Sequence, residues 1–259
     1  MLESDDLARL YDLEYDDWNE DSAFWQSFAA RTGGPIVELG CGSARALAPL
    51  AQQGYAVIGL DSSQAMLARA GERFQALGIP GDQYQLVHQP MESAAIAPRA
   101  RLVFSALNAF AHLATPLRQT QALAAAHRLL HPEGLLIVDL FNPLTQEYDE
   151  RDRMVTLRNV LADPQTGAPI QQFEVWEVDR ETQVVQTTYL YDCLHTDGSI
   201  RRVTTTFPMR YSYRYEIEAR LAQCNFAIEN VFGTYEADPF TGSEEKMIFV
   251  ARPQREGML

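Results

Sequence analysis

From residue 35 to about 142 the chain alternates short apolar runs with longer stretches in which apolar side chains recur every three or four positions. A short continuous apolar run suits a strand buried on both faces, and the helical period suits a helix laid against it. The stretch therefore predicts βα units around a parallel sheet. Strands are expected at 36–39, 55–60, 84–88, 102–105 and 135–140. The punctuation agrees: Asp61-Ser62-Ser63 can cap a helix running to Leu77, Gly78 can close it, and Thr115-Pro116 can open another that ends before His131-Pro132. Right-handed crossovers place such helices on both faces of the sheet.

After Asn142-Pro143 the pattern changes. Stretches 172–178, 184–191 and 200–208 are rich in Val, Thr, Phe and Tyr, and Pro164-Gln165-Thr166-Gly167, Asp179-Arg180-Glu181-Thr182 and Thr196-Asp197-Gly198 read as turns. An antiparallel meander is expected here. Helical spacing resumes over 214–223, and two further strands are expected at 226–235 and 247–251. The meander thus interrupts one sheet, and the expected division is a core of residues 1–143 and 213–259 carrying an antiparallel β insertion of residues 144–212.

Composition narrows the partners. With 46% of its 259 residues apolar, the chain can bury a full core. Its formal net charge of -14 repels phosphate backbones and anionic lipid surfaces, so neither nucleic acid nor a membrane is an expected partner. Small neutral, zwitterionic or cationic molecules fit better. The acidic opening MLESDDLARLYDLEYDDW lacks the apolar centre of a signal sequence, and no apolar run approaches the roughly 20 residues that cross a bilayer. A cytoplasmic location is expected. Cys41, Cys193 and Cys224 stand apart without metal-ligand spacing, which predicts reduced thiols and no metal site.

Candidate chemistry concentrates in Glu38-Leu39-Gly40-Cys41-Gly42-Ser43-Ala44-Arg45. Alternate glycines let the chain turn tightly after a strand and bring backbone N–H groups against a ligand, where a Cβ would obstruct. In isolation an ordinary strand-to-helix turn looks the same. Context separates the readings. A dinucleotide fingerprint needs a third small residue where Arg45 stands. Glu38, moreover, aims a carboxylate at the ligand region, which suits a sulfonium with an ammonium tail better than a pyrophosphate. Asp61, closing the second strand, can accept from two ribose hydroxyls or cap the next helix.

Together these residues resemble a class I S-adenosylmethionine-dependent methyltransferase. Its first motif is matched by Glu38, Gly40 and Gly42, with Ala44 in the place of the last glycine, and its second by Asp61 with Ser62 and Met66 following. His131-Pro132-Glu133-Gly134 is similar to the turn before the family's fifth strand, and 226–235 with 247–251 resembles its terminal antiparallel hairpin. The match covers roughly residues 7–142 and 213–252. It implies an α/β fold with a Rossmann-like doubly wound sheet, mostly parallel with a C-terminal antiparallel hairpin. It also implies S-adenosyl-L-methionine as cofactor, with S-adenosyl-L-homocysteine as product. The cofactor site it implies draws on Tyr11, Glu38, Gly40, Gly42, Arg45, Asp61, Ser62, Met66, Gln89, Met91 and Ser105.

Two of those assignments stay open. Tyr11-Asp12-Leu13-Glu14-Tyr15-Asp16-Asp17-Trp18 resembles a leader whose aromatics lie over the cofactor, or is an amphipathic helix packed on the sheet. Arg45 pairs with the methionyl carboxylate or, more plainly, is a solvated arginine on a helix face. One motif departs from the family: its third places a carboxylate near the adenine amine, and the aligned residues here are Gln89-Pro90-Met91. Pro90 cannot make that contact, which leaves the amine to Gln89, Glu92, a backbone carbonyl or water, with the Met91 amide able to donate to the ring.

The segment Ser105-Ala106-Leu107-Asn108-Ala109-Phe110-Ala111-His112-Leu113 resembles the turn of small-molecule methyltransferases that faces the transferred methyl, which makes Asn108 and His112 the candidate catalytic residues. With an ordinary pKa near 6.5, a histidine suits proton removal from an amine or hydroxyl, although a packed or capping histidine is equally compatible. Asp139 and Asn142 are read as orienting an acceptor or capping a turn. Tyr189, Tyr191, Arg210, Tyr211 and Tyr213 of the insertion offer stacking surface and hydrogen bonds to a small molecule, so the insertion is expected to cover the acceptor as a lid, with a homodimer surface as a second use. The expected function is N- or O-methylation of a small-molecule acceptor by in-line displacement driven mainly by positioning. Its rivals are a non-catalytic cofactor-binding regulatory module and an NAD-dependent oxidoreductase, the latter disfavoured by Arg45, Glu38 and the terminal hairpin.

Overall fold

Two helices, α1 (Asp5–Tyr15) and α2 (Ser22–Thr32), precede the first strand in the computed structural model, which describes residues 5–96, 99–164, 166–195 and 197–254. The apolar runs then become β1 (Ile36–Leu39), β2 (Val57–Asp61), β3 (Tyr84–His88), β4 (Ala100–Ser105) and β5 (Leu130–Phe141). β1 is buried at every position, the double-sided burial that a run without alternation predicts. Between them run α3 (Leu47–Gln52), α4 (Gln64–Ala76) and α5 (Pro116–Leu129). The expected caps form: the Ser63 hydroxyl accepts from Met66 N at 3.3 Å, and that of Thr115 from Arg118 N at 3.2 Å.

The remaining elements are β6 (Val155–Ala162), β7 (Pro169–Asp179), β8 (Val184–Leu194), β9 (Ile200–Arg210), α6 (Arg214–Gln223), β10 (Phe226–Phe232) and β11 (Lys246–Pro253). One sheet has the order β10-β11-β5-β4-β1-β2-β3, parallel except at β11, which runs antiparallel to β5 and to β10. A second, antiparallel sheet has the order β6-β7-β8-β9. The Rossmann-like reading with its terminal hairpin and β insertion is therefore the observed fold. Helices cover both faces of the large sheet. On one, Trp25 of α2 stacks on Phe104 of β4 with ring centroids 4.4 Å apart; on the other, α5 and α6 bury Leu123, Ala126, Ile217 and Leu221 against β5 and β11.

Three expectations need correction. β5 begins at Leu130, so His131-Pro132-Glu133-Gly134 is the irregular start of the strand rather than a turn before it. Gly134 is required there, because a Cβ would stand 2.9 Å from the Arg101 carbonyl and 3.1 Å from that of Ala100. β6 was not expected at all: it is an edge strand with Val155, Leu157 and Val160 exposed, and a bulge between Leu157 and Asn159 breaks the two-residue period that would have revealed it. β10 stops at Phe232, which leaves Tyr235 in the connection to β11. Of the expected turn residues, Gln165 and Thr196 lie outside the described residues.

α1 joins the two sheets. Leu7 and Leu10 pack with Ile170 and Tyr191 of the insertion, and Glu14 accepts from Gln172 at 2.9 Å and pairs with Arg158 at 3.0 Å. Its other side is tied to α4, where Asp12 pairs with Arg69. Among the described residues no helix is long and apolar enough to cross a membrane, no cluster of metal-ligating side chains occurs, and the three cysteines are free.

Candidate active site

The chain leaves β1 through Gly40 (φ +76°) and Gly42 (φ +54°), both left-handed. A Cβ on Gly40 would stand 2.6 Å from the Met91 methyl and 3.1 Å from Ala109, so the loop approaches its neighbours as closely as a glycine allows. Asp61 laces this loop to the end of β2: its Oδ2 accepts from Gly42 N at 2.9 Å and its Oδ1 from Ser63 N at 2.8 Å. Burial raises its pKa, and the amides of Ser63 and Gly42 oppose that rise by favouring the charged form. The Ser62 amide acts in the same sense, so three backbone amides hold the carboxylate.

Glu38 is only 3% exposed, and its Oε2 has no partner in the protein. Burial drives its pKa well above the ordinary carboxylate value, and Arg45 pulls it back. Arg45 is not the solvated helix-face arginine of the plainer reading. It donates to both oxygens of Asp21 at 2.7 Å and to the Trp18 carbonyl at 3.2 Å, and lies 4.6 Å from the centroid of the Trp18 ring. It is thus an internal brace with its carboxylate partner already in place, 24 residues upstream.

A single cavity of about 680 Å³ runs from this loop to the inner face of the insertion sheet. It gathers Tyr11, Glu38, Gly40, Gly42, Arg45, Asp61, Ser62, Met66, Gln89, Met91, Asn108, His112, Tyr189, Tyr191, Arg210 and Tyr211. Ser105, Asp139, Asn142 and Tyr213 do not line it. Ser105 is buried in the body of β4. Asp139 is turned away, its Oδ2 accepting from Leu107 N at 2.9 Å and from the Tyr235 hydroxyl at 2.6 Å. Asn142 caps the turn after β5, accepting from Leu144 N at 3.1 Å and donating to the carbonyls of Gly242 and Glu244. Tyr213 stands exposed at the start of α6.

Further along the cavity, the His112 ring is exposed to it, with the Phe207 ring centroid 5.1 Å away. Lost hydration pushes its pKa down to about 4, so it is neutral at pH 7. Asn108 lines the cavity, but its Oδ1 accepts from Phe141 N at 3.2 Å and its Nδ2 reaches only the Met209 sulfur at 3.9 Å, so its side chain ties the turn down. Arg210 is likewise engaged, with Ser212 at 2.7 Å and Gln183 at 2.5 Å. Tyr11 and Tyr15 stack with centroids 4.7 Å apart, and burial raises both hydroxyl pKa values so that both stay protonated.

The sequence reading missed the polar floor of the cavity. Glu174, 2% exposed, is held by Arg151 at 2.6 Å and Arg158 at 3.2 Å, and Arg151 lies 3.9 Å from the centroid of the Trp176 ring. Tyr148 completes this corner by stacking on Tyr211 with centroids 4.6 Å apart. A signal existed: the inward positions of β7 read Ile170, Gln172, Glu174, Trp176, and a strand that buries a glutamine and a glutamate faces something polar.

The glycine cradle, the orphan oxygen of Glu38 and the cavity-lining carboxylate of Asp61 fit a ligand bearing an ammonium tail and ribose hydroxyls. Comparisons agree. Residues 36–134, the strands and loops that carry this end of the cavity, match a protein family described as Methyltransferase domain. An uncharacterized methyltransferase of Bacillus subtilis (strain 168), YodH, is 32% identical over 120 residues, which cover 44% of this chain and 46% of that protein; the match thus spans about half the length of this relative. The CcbJ methyltransferase from Streptomyces caelestis superposes with a TM-score of 0.77 at 24% identity, over 93% of this chain and 95% of that one. CalS10, an amino pentose methyltransferase from Micromonospora echinaspora solved with S-adenosylmethionine bound, gives 0.71 at 22% identity over 95% of each chain. Residues 36–134 are thus a methyltransferase domain, and the chain as a whole shares the fold of solved methyltransferases, one of them with S-adenosylmethionine bound.

Proposed function

We propose that the protein transfers a methyl group to an amine nitrogen of a small-molecule acceptor held beneath the four-stranded sheet. The observation that carries this reading is continuity: one cavity has Glu38, the glycine loop and Asp61 at one end and the inner face of the insertion at the other, with His112 between. In this assignment Asp61 accepts from the ribose hydroxyls, the glycine-loop amides face the methionyl end, Glu38 takes up the positive charge, and Tyr11 and Tyr15 of α1 close the site over them. The cofactor supplies a methyl on a sulfonium, a group reactive enough that alignment and exclusion of water account for much of the acceleration.

The cavity's acid–base equipment favours nitrogen over oxygen. A neutral amine attacks through its own lone pair and needs no base, whereas a hydroxyl needs one, and a histidine of pKa about 4 is poorly matched to that task. Glu147 and Glu245 on the cavity wall suit a basic, amine-bearing acceptor. CalS10, whose name gives it an amino pentose, shares the fold. Residues 144–212 are proposed as the lid over that acceptor, with Glu174, Arg151 and Trp176 as its recognition floor.

The test is a panel of paired amine and hydroxyl analogues of small acceptors, followed by S-adenosylhomocysteine release, with the methyl located on the product by mass spectrometry and NMR. Turnover confined to amines is expected. Methyl found on oxygen, or turnover of the hydroxyl member alone, would defeat the nitrogen assignment.

A further inference from the structure

The turn after β4 contains two consecutive left-handed residues, Leu107 (φ +51°) and Asn108 (φ +61°). Asparagine enters that region readily, but leucine does so only where its surroundings hold it there. What holds Leu107 is Asp139, a fully buried carboxylate (0% exposed) on β5. Its Oδ2 accepts the Leu107 amide at 2.9 Å and the Tyr235 hydroxyl at 2.6 Å, and its Oδ1 lies 3.7 Å from Lys246 Nζ. Lys246 is the single lysine of the chain, and its ammonium stands 4.7 Å from the ring centroids of both Phe141 and Tyr235. Burial and the adjacent Asp139 carboxylate raise the pKa of the Tyr235 hydroxyl, so it remains a donor at any working pH.

The parts come from three places: β5, the β10–β11 connection and the first residue of β11. None of Asp139, Tyr235 and Lys246 lines the cavity, whereas Leu107, Asn108 and His112 all do. Asp139, Tyr235 and Lys246 thus reach the reaction centre through one backbone amide, that of Leu107. We propose that Asp139, braced by Tyr235 and Lys246, is a positioning residue for methyl transfer, holding Leu107 left-handed and thereby setting where Asn108 and His112 stand against the acceptor. This rests on the methyl-transfer reading. Glu38, Asp61 and the glycine loop belong to β1, β2 and the turn between β1 and α3, and the Asp61 bonds to Gly42 and Ser63 anchor that end independently of Asp139. The consequence is a loss of alignment, which lowers rate far more than affinity.

The test uses Tyr235→Phe, which keeps the ring and removes one donor, Asp139→Asn, which keeps the shape and removes the charge, and Asp139→Asn combined with Leu107→Gly. The single variants should lower kcat by roughly tenfold to a hundredfold, the span of a lost charge-assisted hydrogen bond. KM for the acceptor and Kd for S-adenosylhomocysteine should stay within about twofold. Leu107→Gly should restore much of the kcat lost in Asp139→Asn, because glycine is at ease in the left-handed region. Hydrogen exchange read by mass spectrometry should rise over 106–110 in both single variants, a readout that needs no turnover. A wild type that methylates no acceptor would sink the methyl-transfer reading and leave the brace to be judged on exchange. Unchanged exchange over 106–110, or losses of cofactor affinity and turnover in parallel with no rescue by glycine, would overturn the proposal.

Discussion

Asp21→Asn tests whether Arg45 is a brace or a ligand-binding residue. Asp21 is fully buried and accepts from Arg45 Nη1 and Nη2, each at 2.7 Å, and from Trp25 Nε1 at 2.7 Å, while the Arg45 side chain is 12% exposed. Asparagine preserves the shape and one acceptor oxygen but sets an NH2 group against a guanidinium. Breaking a buried pair typically costs about 3–5 kcal/mol. Arg45 keeps the Trp18 carbonyl and ring, so the lower end applies, about 3 kcal/mol. For a chain of this size that corresponds to a fall in Tm of roughly 6–12 °C. Thermal denaturation followed by circular dichroism measures the first quantity, and calorimetric titration with S-adenosylhomocysteine measures cofactor affinity, expected to change by less than about threefold. A Tm within about 2 °C of wild type, or a large loss of affinity at unchanged Tm, would refute the brace and return Arg45 to the methionyl carboxylate.

The remaining predictions concern the cavity. Asp61→Ala should weaken S-adenosylhomocysteine binding by about one to two decades in calorimetry, through loss of charge-assisted bonds worth roughly 1.5–3 kcal/mol; unchanged affinity in a folded variant removes Asp61 from the ribose. His112 is neutral in the folded protein down to about pH 4, whereas the unfolded chain protonates near 6.5, so between those values the unfolded state binds the extra proton and stability falls as pH falls. A fully desolvated ring would contribute about 3 kcal/mol over that window, and a ring open to the cavity roughly half of it, so His112→Gln should flatten the acid limb of a urea-denaturation series measured from pH 7 to 4. The same variant should lower kcat by about tenfold at pH 7, through looser positioning of the acceptor rather than loss of a base. Glu174→Gln should raise acceptor KM by about tenfold or more while leaving cofactor affinity intact, because the carboxylate lies on the insertion floor and away from the glycine loop; steady-state kinetics with both substrates varied separates the two.

The residues alone determined whatever depends on neighbours in sequence. Apolar runs declared the parallel strands, because burial on both faces leaves few positions polar. Ser63 and Thr115 declared helix starts, because a cap bonds an amide three residues on. The glycine loop and Asp61 declared one end of the cavity, because a left-handed turn and a carboxylate closing the next strand are both local features. Tertiary structure alone decided the partners. It paired Arg45 with Asp21 and took Asp139 and Asn142 away from the cavity to hold backbone. It also turned Glu174 and Trp176 inward to floor the site and hid β6 behind a bulge. Periodicity reports which face of an element is buried, but a charged side chain buried on that face can be stabilised by any donor the fold brings within about 3 Å, and that choice is made only when distant elements pack.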